Sequence, residues 1–495
     1  MTTFRYLPTL LAALFATLLI QPICATESIP GLIRVNSTIQ RYNASQPWER
    51  NTPSSRRGLG AVLSGNRILT TAEMAADTTY IELESADGTH TAPAVVQAID
   101  YEANLAVLTP EGDEAPDWIK SLGTLGVNGP INIGDSVNIW QLEDNGSSIR
   151  TAGSVRSVDL LSTFVGGNFF LAYEVKASMQ SATSSYTLPV TRNGKLTGIL
   201  TSYDSKDQIC DVVAPEIIKQ FLSDLADGNY EGFPSLGVST ALTEDPQFRA
   251  WLGLTEEQGG VYINRVQPDS AAEKAGLQEG DVILKIDGYQ IDRRGYYEDK
   301  RYERLFWPHL VRGIKSVGDT LEITILRDRK EQSLTTTMQR APAPLIPSHI
   351  HDRPPAYLIK GGLVFQELSR SYLTAFGKNW DTRGPLNLLD ALRNPEDYEE
   401  GRKRLVFLSR VVATHATVGY DRISNRIVEE VNGQPIENMA SLVKAFETPI
   451  DGLHQINIDD VPYVLYLDPR ISDGVDLEFK QRGLPELQRI PEDQL

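Results

Sequence analysis

From residue 58 the chain runs in short β-type apolar stretches broken by Gly and Asn turns, at 60–64, 79–84, 94–99, 104–108, 136–142, 169–175 and 195–201. Many short strands with turn signals between them predict an all-β barrel or sandwich. The period then changes. Ile217, Ile218, Phe221, Leu222 and Leu225 fall at helical spacing within 215–226, so an amphipathic helix closes this domain. A polar, Gly-containing linker follows at 227–234, and a second module runs over 235–340. In it, Ser270 is placed to cap a short helix and Gly276 to end it where positive φ costs little. Gly280-Asp281 turns the chain into a strand over 282–286, and Asp287-Gly288 makes the next turn. A Pro-rich stretch at 341–355 separates a third module, 356–481, where Asn432-Gly433 again marks a tight turn. Leu442, Val443 and Phe446 read as one face of a helix. Residues 26–57 read as a polar N-terminal arm and 482–495 as a mobile polar tail.

Composition adds bounds rather than a mechanism. A chain of 495 residues has room for about three domains at ~150 residues each. The net charge of −18 disfavours nucleic acid, because binding to phosphates needs a basic surface. Residues 1–25 read as a secretory signal: Arg5, an apolar run from Leu10 to Ile20, and a cut after Ala25. That predicts a periplasmic or secreted protein with no membrane span after cleavage. Cys24 would leave with the signal, so Cys210 has no partner in the chain and reads as a small buried residue. Cys/His spacing suitable for a metal is missing, as are phosphate-binding and dinucleotide motifs, so neither metal nor cofactor is expected. His349 and His351 sit two apart in the Pro-rich stretch and offer at most weak adventitious metal binding.

The most informative local motif is Asn66-Arg67-Ile68-Leu69-Thr70-Thr71-Ala72-Glu73-Met74. Together with Asn104-Leu105-Ala106-Val107 and Ser184-Ser185-Tyr186-Thr187-Leu188-Pro189, it makes 58–226 resemble the chymotrypsin-like domain of HtrA/Deg serine proteases. The stretch Pro268-Asp269-Ser270-Ala271-Ala272 through Gly280-Asp281-Val282-Ile283 resembles a PDZ domain, and Val431-Asn432-Gly433-Gln434-Pro435 a second, as in plant-type Deg proteases. The resemblance implies a chymotrypsin-like double β-barrel followed by two PDZ-like domains, all-β plus α+β. It places Glu73, Asn104 and Tyr186 where the family has its catalytic histidine, aspartate and serine. None of the three suits the task, since the triad needs an imidazole to take and return the serine proton. Ser184, Thr187 and Leu188 stand where glycines would shape the oxyanion turn. The only histidine between residues 26 and 308 is His90, in an Asp87-Gly88-Thr89-His90 hairpin turn, which reads as a surface residue. The expectation is therefore a catalytically degenerate member, not an enzyme.

By the same resemblance, Ser235-Leu236-Gly237-Val238 is the loop that holds a peptide's terminal carboxylate while the peptide adds as a strand. The implied partners are unfolded proteins or peptide C-termini. The implied assembly is a trimer-based homo-oligomer, or a hetero-oligomer with an active homologue. The role is scaffold, chaperone-like holder or regulatory subunit; the alternative is an active serine endopeptidase in protein quality control. Aromatic residues Tyr296, Tyr297, Tyr302, Phe306 and Trp307, in an insertion between Gly288 and Lys315, read mainly as core or interface residues.

Overall fold

The computed structural model describes residues 31–494, apart from 144, 163, 181–186, 462 and 485. The signal at 1–25 and Cys24 lie outside the described residues. Strands β1 (Leu32–Ile39), β2 (Ser54–Leu63), β3 (Arg67–Thr70), β4 (Thr78–Glu84), β5 (Thr91–Asp100) and β6 (Leu105–Pro110) close a barrel in the order β1-β2-β3-β6-β5-β4. Strands β7 (Ser136–Leu142), β8 (Ser148–Leu161), β9 (Phe170–Lys176), β10 (Leu188–Arg192), β11 (Lys195–Asp204) and β12 (Ile209–Val213) close a second, β10-β11-β12-β9-β8-β7. The predicted double barrel is thus present. The 26–57 arm is corrected: its described part supplies all of β1 and the start of β2. Barrel closure accounts for this, because β1 bridges β2 and β4 and removes both edges. Gly60 in β2 leaves room for the Ile68 side chain of β3, from which a Cβ would lie 2.4 Å away.

The closing helix forms over Pro215–Asp224 and buries Ile217, Ile218 and Phe221, with proline at its first turn. The next module has the sheet order β13 (Val238–Leu242), β14 (Val261–Val266), β15 (Val282–Ile286), β19 (Thr320–Arg327), β20 (Lys330–Thr337), with β16 (Tyr289–Gln290) beside β15. The expected cap is present: Ser270 Oγ accepts the Glu273 N–H at 3.2 Å, and Gly276 follows at φ +77°. The insertion forms a hairpin, β17 (Tyr296–Asp299) and β18 (Glu303–Phe306), and a short helix His309–Arg312. Its aromatics are core and interface, as expected. One buried apolar cluster runs from Tyr173 and Ile199 of the second barrel and Phe221 of the closing helix into Tyr297, Leu305 and Ile323 of this module.

The third module repeats that order with β22 (Leu363–Glu367), β23 (Val406–Val411), β24 (Arg426–Val431), β26 (His454–Ile458) and β27 (Val464–Leu467), and with β25 (Gln434–Pro435) beside β24. It adds β21 (Tyr357–Lys360) and β28 (Gln488–Arg489) beyond β22. The tail is therefore no mobile appendage: β28 pairs with β21, and Leu487 is buried. Arg489 lies over the rings of Tyr42 and Tyr357, so the β1–β2 loop of the first barrel reaches the third module. The Pro-rich stretch is docked as well. His351 stacks on Tyr101 and Phe164, with centroids 5.0 and 4.9 Å away, and contacts Asp77 at 2.9 Å. Asp352 accepts from the Asp77 N–H at 2.6 Å and from the Tyr101 hydroxyl at 2.5 Å.

Candidate functional site

The register of β3 against β6 sets Thr70 opposite Ala106, so residues 71–73 arrive beside the start of β6. There the Glu73 N–H donates to Asn104 Oδ1 at 3.0 Å. Asn104 is buried and left-handed at φ +54°, a conformation that Asn tolerates well. The Glu73 carboxylate turns to Arg56, 3.5 Å away, and Arg56 also donates to the Glu73 carbonyl at 2.6 Å. Sequence reasoning missed Arg56, whose link to Glu73 is a barrel contact with no local motif. Tyr186 lies outside the described residues, as do Ser184 and Ser185. The next residue, Thr187, is buried, its hydroxyl 2.6 Å from that of Thr71, and its carbonyl accepts the Leu59 N–H at 3.0 Å. The barrel seam thus gathers the segments around 73, 104 and 187. The pair found there is a carboxylate on a guanidinium and a neutral amide on a backbone N–H, where a serine-protease triad has an imidazole backed by a carboxylate.

The other candidates are placed plainly. His90 is exposed at the β4–β5 turn, with Thr89 Oγ1 2.7 Å from its Nδ1. Cys210 is fully buried in β12; burial, with help from Asp211, pushes its thiol up to about 12, which leaves it inert near neutral pH. His349 stacks on His351 at 5.4 Å, and burial lowers its pKa to about 4. Among the described residues no group of three or more His, Cys, Asp and Glu stands ready to hold a metal ion.

Ser235, Leu236, Gly237 and Val238, expected from the resemblance to form a binding loop, sit together at the start of β13, an edge strand with no strand on its outer side among the described residues. The carbonyls of Leu236 and Gly237 are used, by Ala272 N–H and Gln267 N–H, each at 2.8 Å. Their own N–H groups donate to no acceptor among the described residues. Two successive free N–H groups around a left-handed glycine, φ +80°, form a concavity for an anion. Glycine is required there, because a Cβ would lie 2.2 Å from Ser270 Cβ. Gly237→Ala is expected to cost about 1–3 kcal/mol of stability through this strained backbone. It should also weaken binding of a C-terminal peptide at least tenfold, as read by fluorescence anisotropy of the full chain.

The third module differs at the same place. Its corresponding strand β22 is paired on both sides, by β23 and by β21. The edge that could accept a peptide is already filled by its own chain.

Comparison with known proteins adds the following. The PDZ domain model matches residues 234–338 and again 346–470. The second match begins inside the stretch read as linker, consistent with its docked state. "Protease Do-like 4, mitochondrial" of Arabidopsis thaliana is 28% identical over 85% of this chain and 77% of its own. "Protease Do-like 2, chloroplastic" of the same plant is 27% identical over 92% of this chain and 74% of its own. The solved structure "HtrA-type protease AlgW with decapeptide" aligns with 64% of this chain and 97% of its own, at 21% identity and TM-score 0.47.

Proposed function

This chain belongs to the HtrA/Deg family of Do-like proteases, and we propose that it works by binding proteins rather than by cutting them. Membership supports a protease-related role. The observation that carries the finer reading is the Glu73–Asn104 contact: the two segments that would supply the base and its orienting carboxylate meet, with residues unfit for either task. The protein is a pseudoprotease that holds unfolded chains or protein C-termini at the β13 edge. It serves as scaffold, holder or regulatory subunit. The filled edge of β22 supports an assembly role for the third module, in a trimer-based homo-oligomer or beside an active homologue. Export by the 1–25 segment belongs to the same reading, and no described helix is long and apolar enough to cross a membrane.

Casein turnover by purified protein tests it. The expected result is no loss of casein above background, unchanged by Ser185→Ala. Turnover that disappears in Ser185→Ala would replace this reading with that of an active endopeptidase.

A further inference from the structure

A cavity of about 840 Å³ opens where the barrels, the first PDZ domain and the docked stretch 341–355 meet. That size falls among ordinary ligand pockets, ~300–1,000 Å³. Ser235 and Gly237 of the anion-holding loop line it, and so do five arginines against two carboxylates, in a chain of net charge −18. Two of the arginines are already committed. Arg265 pairs with Glu399 at 2.5 Å, and Arg312 with Glu102 at 2.8 Å. Two others form no ion pair among the described residues. Arg340 forms no ion pair or hydrogen bond among the described residues, and it rests its guanidinium 3.2 Å from where a Gly232 Cβ would stand. The Arg404 guanidinium donates to the backbone carbonyls of Pro344 and Lys403, at 3.1 and 2.9 Å, and its charge also acts on the Glu367 carboxylate without an ion-pair contact. Cationic groups outside any ion pair beside free N–H donors, inside an otherwise acidic protein, fit a ligand with several carboxylates.

We propose that this cavity selects peptides with acidic residues just before the C-terminal one: the terminal carboxylate on the Leu236 and Gly237 N–H groups, the preceding side-chain carboxylates on Arg340 and Arg404. This rests on the PDZ-type reading of the 235–238 loop and adds the ligand class to it. The arginines come from four separate segments, at 265, 312, 340–353 and 404 in the chain, so the selectivity belongs to the packed arrangement rather than to one domain. It also follows that the docked stretch 341–355 forms one wall of the binding site.

Fluorescence anisotropy on the full chain tests it with three fluorescein-labelled octapeptides: one ending Asp-Glu-Glu-Val with a free carboxylate, its Asn-Gln-Gln-Val counterpart, and the acidic peptide with an amidated end. The acidic peptide should bind about tenfold or more tighter than the neutral one, a gap of about 1.4 kcal/mol per tenfold. That gap should collapse in Arg340→Gln/Arg404→Gln, whose neutral-peptide affinity should stay unchanged. Amidation should weaken binding in both proteins. Equal affinity for acidic and neutral peptides, with amidation still harmful, overturns the acidic selection and leaves the PDZ-type reading standing. An acidic preference that survives in the double variant overturns the assignment to these arginines. Indifference to amidation, or no binding of any peptide, overturns the loop reading and this inference with it.

Discussion

Tyr302→Ala is expected to lower the stability of the chain by about 3–5 kcal/mol, the loss typical of a buried aromatic cut to alanine. Tyr302 tips the β17–β18 hairpin into the second barrel and is nearly fully buried. Its hydroxyl donates to Glu216 at 2.5 Å and stands 3.0 Å from the Tyr173 hydroxyl, which also donates to Glu216 at 3.1 Å. Burial first, then the Glu216 charge, raises both phenols, so they stay neutral donors across the physiological range. The Ile131 N–H completes the cluster by donating to Tyr173 at 3.2 Å. The substitution removes the apolar contact and leaves a half-satisfied network. Tyr302→Phe keeps the ring and should cost less, about 1–3 kcal/mol. Urea midpoints of the three proteins check the order. A wild-type midpoint in Tyr302→Ala would mean that the hairpin does not weld the PDZ domain to the barrel.

Acidification should destabilise the first PDZ domain through His309. This residue is buried in the short helix after the hairpin, its ring stacked on Tyr297, with the Tyr297 hydroxyl 2.6 Å from Nδ1. Burial lowers its pKa to about 4, against a weaker upward pull from Asp299. The folded value therefore lies below the unfolded one, about 6.5. Between those two values the unfolded chain binds a proton that the folded chain refuses, so stability is full above about pH 7 and falls as pH drops. About 2 kcal/mol of the His309 contribution should be gone at pH 5 and about 3 kcal/mol near pH 4, at ~1.4 kcal/mol per unit. Urea unfolding at pH 7 and pH 5, compared with His309→Gln, isolates the effect from other groups. The variant should lose markedly less on acidification. An equal loss in both proteins would remove His309 as the cause.

What could be read from the sequence was what neighbouring residues decide. The turn at Gly280-Asp281, the Ser270 cap and the Asn432-Gly433 hairpin depend on local φ and side-chain reach, and they appear where expected. The barrel strands followed from short apolar runs separated by Gly and Asn turns. The Glu73 and Asn104 segments were legible because each keeps its flanking motif, and the fold brings them together. The misreadings share one cause. Residues 26–57, 341–355 and 482–495 are polar overall; the first hides β1, whose opening residues are buried in a row rather than alternately, and the other two are anchored by a few isolated side chains, such as His351 and Leu487. Neither pattern leaves a periodic signal, so a docked strand reads as an arm, a linker or a tail. The cavity arginines were hidden for the same reason: they are far apart in the chain and are joined only by packing.

Whether any serine of the barrel domain is a working nucleophile decides between a pseudoprotease and an active endopeptidase. Intact-mass measurement of the purified full-length protein after treatment with a fluorophosphonate, with an active serine protease as positive control, asks this directly. The account predicts the unmodified mass, because Glu73 stands where the family resemblance places the histidine base. One phosphonate adduct per chain, mapped to Ser184 or Ser185, would contradict it.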